Sequence, residues 1–244
     1  MKRKNLLCIL LVAVCLTTSV ACAKRETNVI DEPNNVVDHG MIVGGWTLNN
    51  DIKPLNIPKD AMAAFDRATE EYDGMTFEPI ALLGSQVVAG KNYMFLCKGT
   101  TVTQNPKTSF KTVIVYNDLS DNSSITSVSD FNYTNYIRKD IENDKELMTG
   151  GWYVDSEGEK GILDDNIQTM FDNAISTLTG MSYRPIAVLG TQVVAGTNYA
   201  ILCYGSASYE DMPEAVYLLT IYKDLSGNQE ILSQAYVDLA EFNR

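Results

Sequence analysis

Apolar side chains follow two periods along this chain. At Ile167, Met170, Phe171, Ala174, Ile175 and Leu178 they recur at i, i+3, i+4, i+7, i+8 and i+11, one continuous face of an α-helix. Ala61, Ala64, Phe65, Ala68 and Tyr72 repeat that face earlier in the chain, with Pro58 and Asp164 marking the starts and Gly74 and Gly180 the expected stops. After each helix the pattern alternates with period two. It predicts strands over 76–86, 92–99, 110–118 and 125–131, and their equivalents later in the chain. Short connections between consecutive strands imply an antiparallel meander, and a helix laid on one face of such a sheet makes an α+β domain.

One stretch breaks the local rules twice. Gln86-Val87-Val88-Ala89-Gly90 and Gln192-Val193-Val194-Ala195-Gly196 stand where hairpin turns are expected. Turns favour Gly, Asn and Asp because those residues tolerate positive φ, whereas these carry two β-branched apolar residues. Such departures concentrate at functional positions, so the tip reads as a surface that a partner buries.

The chain repeats itself at an offset of 106 residues: Gly44-Gly45-Trp46 maps onto Gly150-Gly151-Trp152, Phe65 onto Phe171, Pro79 onto Pro185 and Cys97 onto Cys203. Between Gly74–Gly99 and Gly180–Gly205, 17 of 26 positions are identical. A period this long indicates duplicated domains, since solenoid repeats are far shorter. The expected organisation is a signal over 1–22, a flexible spacer over 23–40, a first domain over 41–138, a linker over 139–146 and a second domain over 147–244.

The N-terminus adds a destination. Lys2-Arg3-Lys4 followed by an apolar run over 6–16 and small residues reads as a secretory signal, with an apolar run too short for a comfortable membrane span. Two readings stay open at its end. Ser19-Val20-Ala21-Cys22 resembles a bacterial lipobox, which would lipidate Cys22 and anchor the chain to a cell envelope. Alternatively Ala21-Cys22-Ala23 is a cleavage site of a secreted protein. A net charge of −12 disfavours nucleic acid and anionic lipid surfaces as partners, so any membrane association would run through Cys22.

Cys97 and Cys203 are the cysteines of the repeats. Tyr93, Phe95 and Cys97 share one strand face, so both cysteines read as buried free thiols. Neither repeat contains a histidine; the one histidine, His39, falls in the spacer. A Cys-His nucleophile is therefore ruled out in the repeats, no metal-ligand spacing is present, and the chain reads as a non-enzyme without a cofactor. Asp118 and Asp224 read as turn formers, and Trp46 and Trp152 as packing residues. Met94 and Leu96, with Ala200 and Leu202, lie on the opposite strand face from the helix. An apolar second face predicts a cover, either packing between the domains or a dimer.

An ordered set of motifs occurs in each repeat: a Gly-Gly pair before the helix, the Gln-Val-Val-Ala-Gly loop followed by Asn-Tyr, and a strand ending in Tyr-x-x-Leu. In this each repeat resembles a cystatin, the family of protein inhibitors of papain-type cysteine proteases, and most of all its single-domain stefin branch. The resemblance implies an α+β fold of two tandem cystatin-like domains. Each would have one helix on a four-stranded antiparallel meander, or a five-stranded one with the N-terminal trunk.

The resemblance further implies a reversible, competitive inhibitor whose wedge enters the cleft of a papain-like cysteine protease. The first wedge would comprise Val43, Gly44, Gly45, Gln86, Val87, Val88, Ala89, Gly90 and Leu119. The second would comprise Gly150, Gly151, Gln192, Val193, Val194, Ala195, Gly196 and Leu225. The second hairpin loop departs from the family, which places Pro-Trp or Leu-Pro where this chain has Leu119-Ser120 and Leu225-Ser226. That puts affinity and target range in question more than the mode of binding. A non-inhibitory module for surface binding or assembly remains the other functional class.

Overall fold

In the computed structural model the described residues are 41–42, 45–49, 51–140, 151–154, 163–207 and 214–242. The signal over 1–22 with Cys22, the spacer, Val43, Gly44, Gly150 and most of the linker lie outside them.

Strand dominates. The first sheet has six strands in chain order, β1 (Met41–Ile42), β2 (Trp46–Leu48), β3 (Met75–Val88), β4 (Gly90–Thr101), β5 (Thr108–Asn117) and β6 (Ser123–Asp130). The second has five, β7 (Tyr153–Val154), β8 (Met181–Val194), β9 (Gly196–Ala207), β10 (Ala215–Asp224) and β11 (Gln229–Val237), again antiparallel neighbours in sequence. β3 and β8, like β4 and β9, keep the 106-residue offset to the residue.

Helices α1 (Lys59–Thr69) and α3 (Asp165–Ile175) occupy the stretches of helical periodicity. Asp164 caps α3 by accepting from the Ile167 N–H at 2.8 Å, whereas α1 starts after Pro58 with no side-chain cap. Both helices end earlier than the apolar pattern suggests, so Tyr72 and Leu178 lie past their ends. Gly74 and Gly180, at φ +87° and +86°, turn the chain into β3 and β8 instead of stopping a helix.

The architecture departs from the expected α+β domain of one helix on a four-stranded meander, or a five-stranded one with the trunk. The second sheet has five strands counting trunk strand β7, but the first has six, and neither half stops at one helix: α2 (Thr134–Asp140) ends the first and a 3₁₀ turn over Leu239–Phe242 the second. The physical reason is that both faces of each sheet are apolar. α1 covers only one face of the first sheet, over Leu82, Tyr93, Phe95, Cys97, Val113 and Val115. α3 does the same for the second, over Tyr183, Val188, Ile201, Cys203, Leu219 and Ile221. The remaining faces share one larger core. In it Ile80, Leu83, Met94, Leu96 and Ile114 are buried with Ile186, Leu189, Ala200, Leu202 and Leu218.

Side chains from both halves close this central core. Phe131 stacks on Phe242 with ring centroids 5.3 Å apart, Tyr133 meets Trp152 edge to face at 6.0 Å, and the Tyr136 hydroxyl donates to Glu241 at 3.3 Å. Gly190 makes room for that approach, since a Cβ there would lie 2.8 Å from the ring carbon bearing the Tyr133 hydroxyl. The described residues of both halves accordingly belong to one compact unit.

Coverage on both faces also explains the burial pattern. Ile80 to Gly84 are buried in succession, and so are Tyr93 to Gly99, where a sheet with one wet face would alternate. Register shifts between Pro79 and Ala81 and between Leu82 and Gly84 bend β3, and β8 repeats both. The proline thus sits beside a bulge, one of the places within a sheet where proline is tolerated.

Candidate functional site

The β3–β4 hairpin has almost no loop. Val88 pairs with Gly90, which leaves Ala89 alone at the tip. So tight a reversal needs a special backbone, and Gly90 supplies it at φ +126°, a region that side chains rarely enter. Space imposes the same choice. A Cβ on Gly90 would collide with the Asn117 carbonyl oxygen and lie 3.1 Å from the Tyr116 ring. Gly196, at φ +142°, is confined in the same way by the Lys223 carbonyl and the Tyr222 ring at 2.7 Å.

Two side-chain bonds hold each tip. Tyr116 donates its hydroxyl to the Ala89 carbonyl oxygen at 2.6 Å, and Tyr222 does so to Ala195 at 2.6 Å. Below the tip, Asn92 donates to Gln86 at 2.7 Å and Asn198 to Gln192 at 2.8 Å. Gln192 is fully buried, and Gln86 partly so. The expectation that Gln192 touches a partner is therefore corrected: its amide braces the hairpin from inside the sheet. The side chains that face outward are the valines, with Val87 81 % and Val193 69 % exposed, together with Ala89 and Ala195 at the tips.

The second hairpin of each half is held by an aspartate. Asp118 accepts from the backbone N–H of Ser120 at 2.8 Å and of Asn122 at 2.9 Å, and its other oxygen accepts from the Asn122 amide at 2.9 Å. Asp224 repeats the arrangement with Ser226 and Asn228. Led by the Asn122 and Asn228 amides, these bonds hold both carboxyls below their ordinary pKa. Leu119 and Leu225 are left at the loop tips, 85 % and 87 % exposed. The loop lies beside the first hairpin, because Lys91 pairs with Asn117 and Thr197 with Lys223.

The trunk reaches the same end of each sheet, since Trp46 pairs with Gln86 and Tyr153 with Thr191. Gly45 is exposed, at φ +79°, and reverses the chain so that Ile42 pairs back onto Trp46 as β1. The trunk of the first half therefore pairs back on itself, Met41 with Thr47 and Ile42 with Trp46. Gly151 is exposed, and Trp46 is wholly buried in the central core.

Each half thus brings Val87, Ala89 and Leu119, or Val193, Ala195 and Leu225, to one end of its sheet, with Gly45 just before β2 or Gly151 two residues before β7. Two braced hairpins present exposed aliphatic side chains at one end of each sheet, a contiguous apolar edge of the kind that marks a contact surface.

Cys97 and Cys203 are buried under the two helices, and burial pushes both thiols well above their usual pKa. Among the described residues no group of three or more His, Cys, Asp or Glu side chains is placed to hold a metal ion. No described helix is long and apolar enough to cross a membrane.

The bracing roles of Asn92, Tyr116 and Asp118 and their copies are partly visible as repetition at the 106-residue offset, which marks positions without assigning partners. No protein-family model matches the chain, and no curated protein matches it.

Proposed function

We propose that the protein is a reversible, competitive inhibitor of papain-type cysteine proteases, exported and acting through one apolar edge in each half. The observation that carries the reading is the exposure of Val87 with Leu119, and of Val193 with Leu225, on hairpins braced from beneath. Burying such side chains in a protease cleft gains about 25 cal/mol per Å² of apolar surface, and preorganised loops lose little conformational freedom on binding. The tips offer β-branched and small residues on a tight reversal, which blocks a cleft without laying an extended peptide bond across the nucleophile. The reading rests on the cystatin-like motifs and on the edge, because fold does not fix function.

Two edges allow two proteases per chain. Export would place the inhibitor in a cell envelope through a lipid on Cys22, or outside the cell. The test is titration of papain with the chain lacking residues 1–22. Progressive, competitive loss of activity at micromolar inhibitor is expected. Full activity at that concentration would overturn the reading and leave a non-inhibitory binding module.

A further inference from the structure

The two edges are not equivalent, and the difference lies on the trunk strand. In the first half Trp46 turns into the central core and Thr47, next to it, faces the other side of the sheet. In the second half Trp152 packs on the same core against Tyr133, and strand alternation sends Tyr153 to the opposite face. There it is 65 % exposed. Tyr153 pairs with Thr191, and Thr191 shares a face with Val193 two residues on, so Tyr153 and Val193 are diagonal neighbours about 7–8 Å apart. The exposed apolar surface of the second edge therefore continues from the hairpin onto the trunk strand, where the first edge has a small polar residue.

We infer that Tyr153 is a specificity-determining contact of the second edge, so that the two halves prefer different members of the protease class. The inference rests on the inhibitor reading above. Its partner is a protease whose cleft is bordered by an apolar ledge able to receive an aromatic ring beside the hairpin. Tyrosine supplies a large contact at a low ordering cost, because only two side-chain torsions are fixed. The backbone beneath it is already held: Trp152 packs against the core, and Gly190 lets the Tyr153 carbonyl approach closely, where a Cβ would lie 2.8 Å from it.

The experiment uses two full-length backgrounds, each with one edge disabled: V87D/L119D, which leaves the second edge, and V193D/L225D, which leaves the first. In V87D/L119D, Tyr153→Thr is expected to raise the papain inhibition constant about tenfold and Tyr153→Phe to preserve it, in keeping with aromatic hot spots at interfaces. In V193D/L225D, Tyr153→Thr is expected to change nothing. Thermal melting should not move, because the first half carries Thr at the matching position. If Tyr153→Thr leaves the V87D/L119D constant within about twofold while that protein still inhibits, the inference is overturned and the inhibitor reading stands. If neither background nor the parent chain inhibits, the inhibitor reading falls and takes the inference with it.

Discussion

The hydroxyl of Tyr116 donates to the carbonyl oxygen of Ala89 at 2.6 Å, and 106 residues on Tyr222 holds Ala195 in the same way. The bond spans from the end of one strand to the tip of its neighbour, so it fixes the position of a reversal that has no loop of its own. Removing the hydroxyl alone, as Tyr116→Phe or Tyr222→Phe, should loosen one tip and weaken protease inhibition by roughly fivefold, the worth of about 1 kcal/mol. Melting temperature should hardly change. An unaltered inhibition constant in both variants would show that backbone geometry alone fixes the tips.

Glycine is needed at the tips for two reasons and in the second hairpin for one. Gly227 has φ +91° with open space where a Cβ would stand, so Gly227→Ala should cost about 1–2 kcal/mol from the backbone alone. Gly196→Ala adds a collision with the Lys223 carbonyl and should cost clearly more. Chemical denaturation of the two variants gives the comparison, and equal losses would contradict it. The first half has Asp121 at φ +63° in the position matching Gly227, a residue type that tolerates this region better than most.

Order in the second hairpins should depend on pH in one direction. Asp118 and Asp224 have lowered pKa values when folded, led by the Asn122 and Asn228 amides. Their contribution is therefore complete above the unfolded carboxyl value of about 3.9 and is lost as pH falls through the lower folded value. The amide signals of Ser120, Asn122, Ser226 and Asn228 should stay fixed from neutral pH to about 5 and shift only in the acid range below the unfolded value. Movement between pH 6 and 8 would exclude this mechanism.

The apolar edge should be separable from stability. Val87→Asp with Leu119→Asp places charges on exposed side chains, so unfolding should shift by no more than about 0.5 kcal/mol. Inhibition through the first edge should fall by at least about tenfold, because each charge would have to be desolvated in the cleft. Full retention of activity in a V193D/L225D background would place the contact elsewhere.

Because the two sheets share a core, the halves should not behave as independent domains. The intact chain should melt in one transition, and Leu202→Ala should lower its stability by about 2–5 kcal/mol. Residues 41–138 produced alone should expose Met94, Leu96 and Ile114, and should self-associate or bind a hydrophobic dye. A monomeric half that binds no dye would contradict the shared core.

Much of the local structure is legible in the order of residues. Period-two alternation places β3 through β6 within a few residues, and helical spacing places α1 and α3, because apolar side chains recur at the period of each element. α2 escapes that reading although Tyr133, Tyr136 and Ile137 stand at i, i+3 and i+4, since one turn of signal before a charged run resembles a linker. Gly74 and Gly180 resemble helix stops because glycine after an apolar stripe fits that rule, yet the positive φ serves the strand that follows. Gln192 falls among the contact residues by its position in the motif. Sequence carries no sign that the amide turns inward to meet Asn198.

The sequence alone determined the duplication, the strand and helix periods and the unusual apolar turns, because these are properties of order and spacing along one chain. Tertiary structure decided how the apolar faces are satisfied. Met94, Leu96, Ala200 and Leu202 announce that their faces must leave water, but burial is non-directional and names no partner. Only the assembled core, with Phe131 on Phe242 and Tyr133 on Trp152, sets the two sheets against each other. The same packing turns Trp152 inward and Tyr153 outward, and so makes the two edges differ.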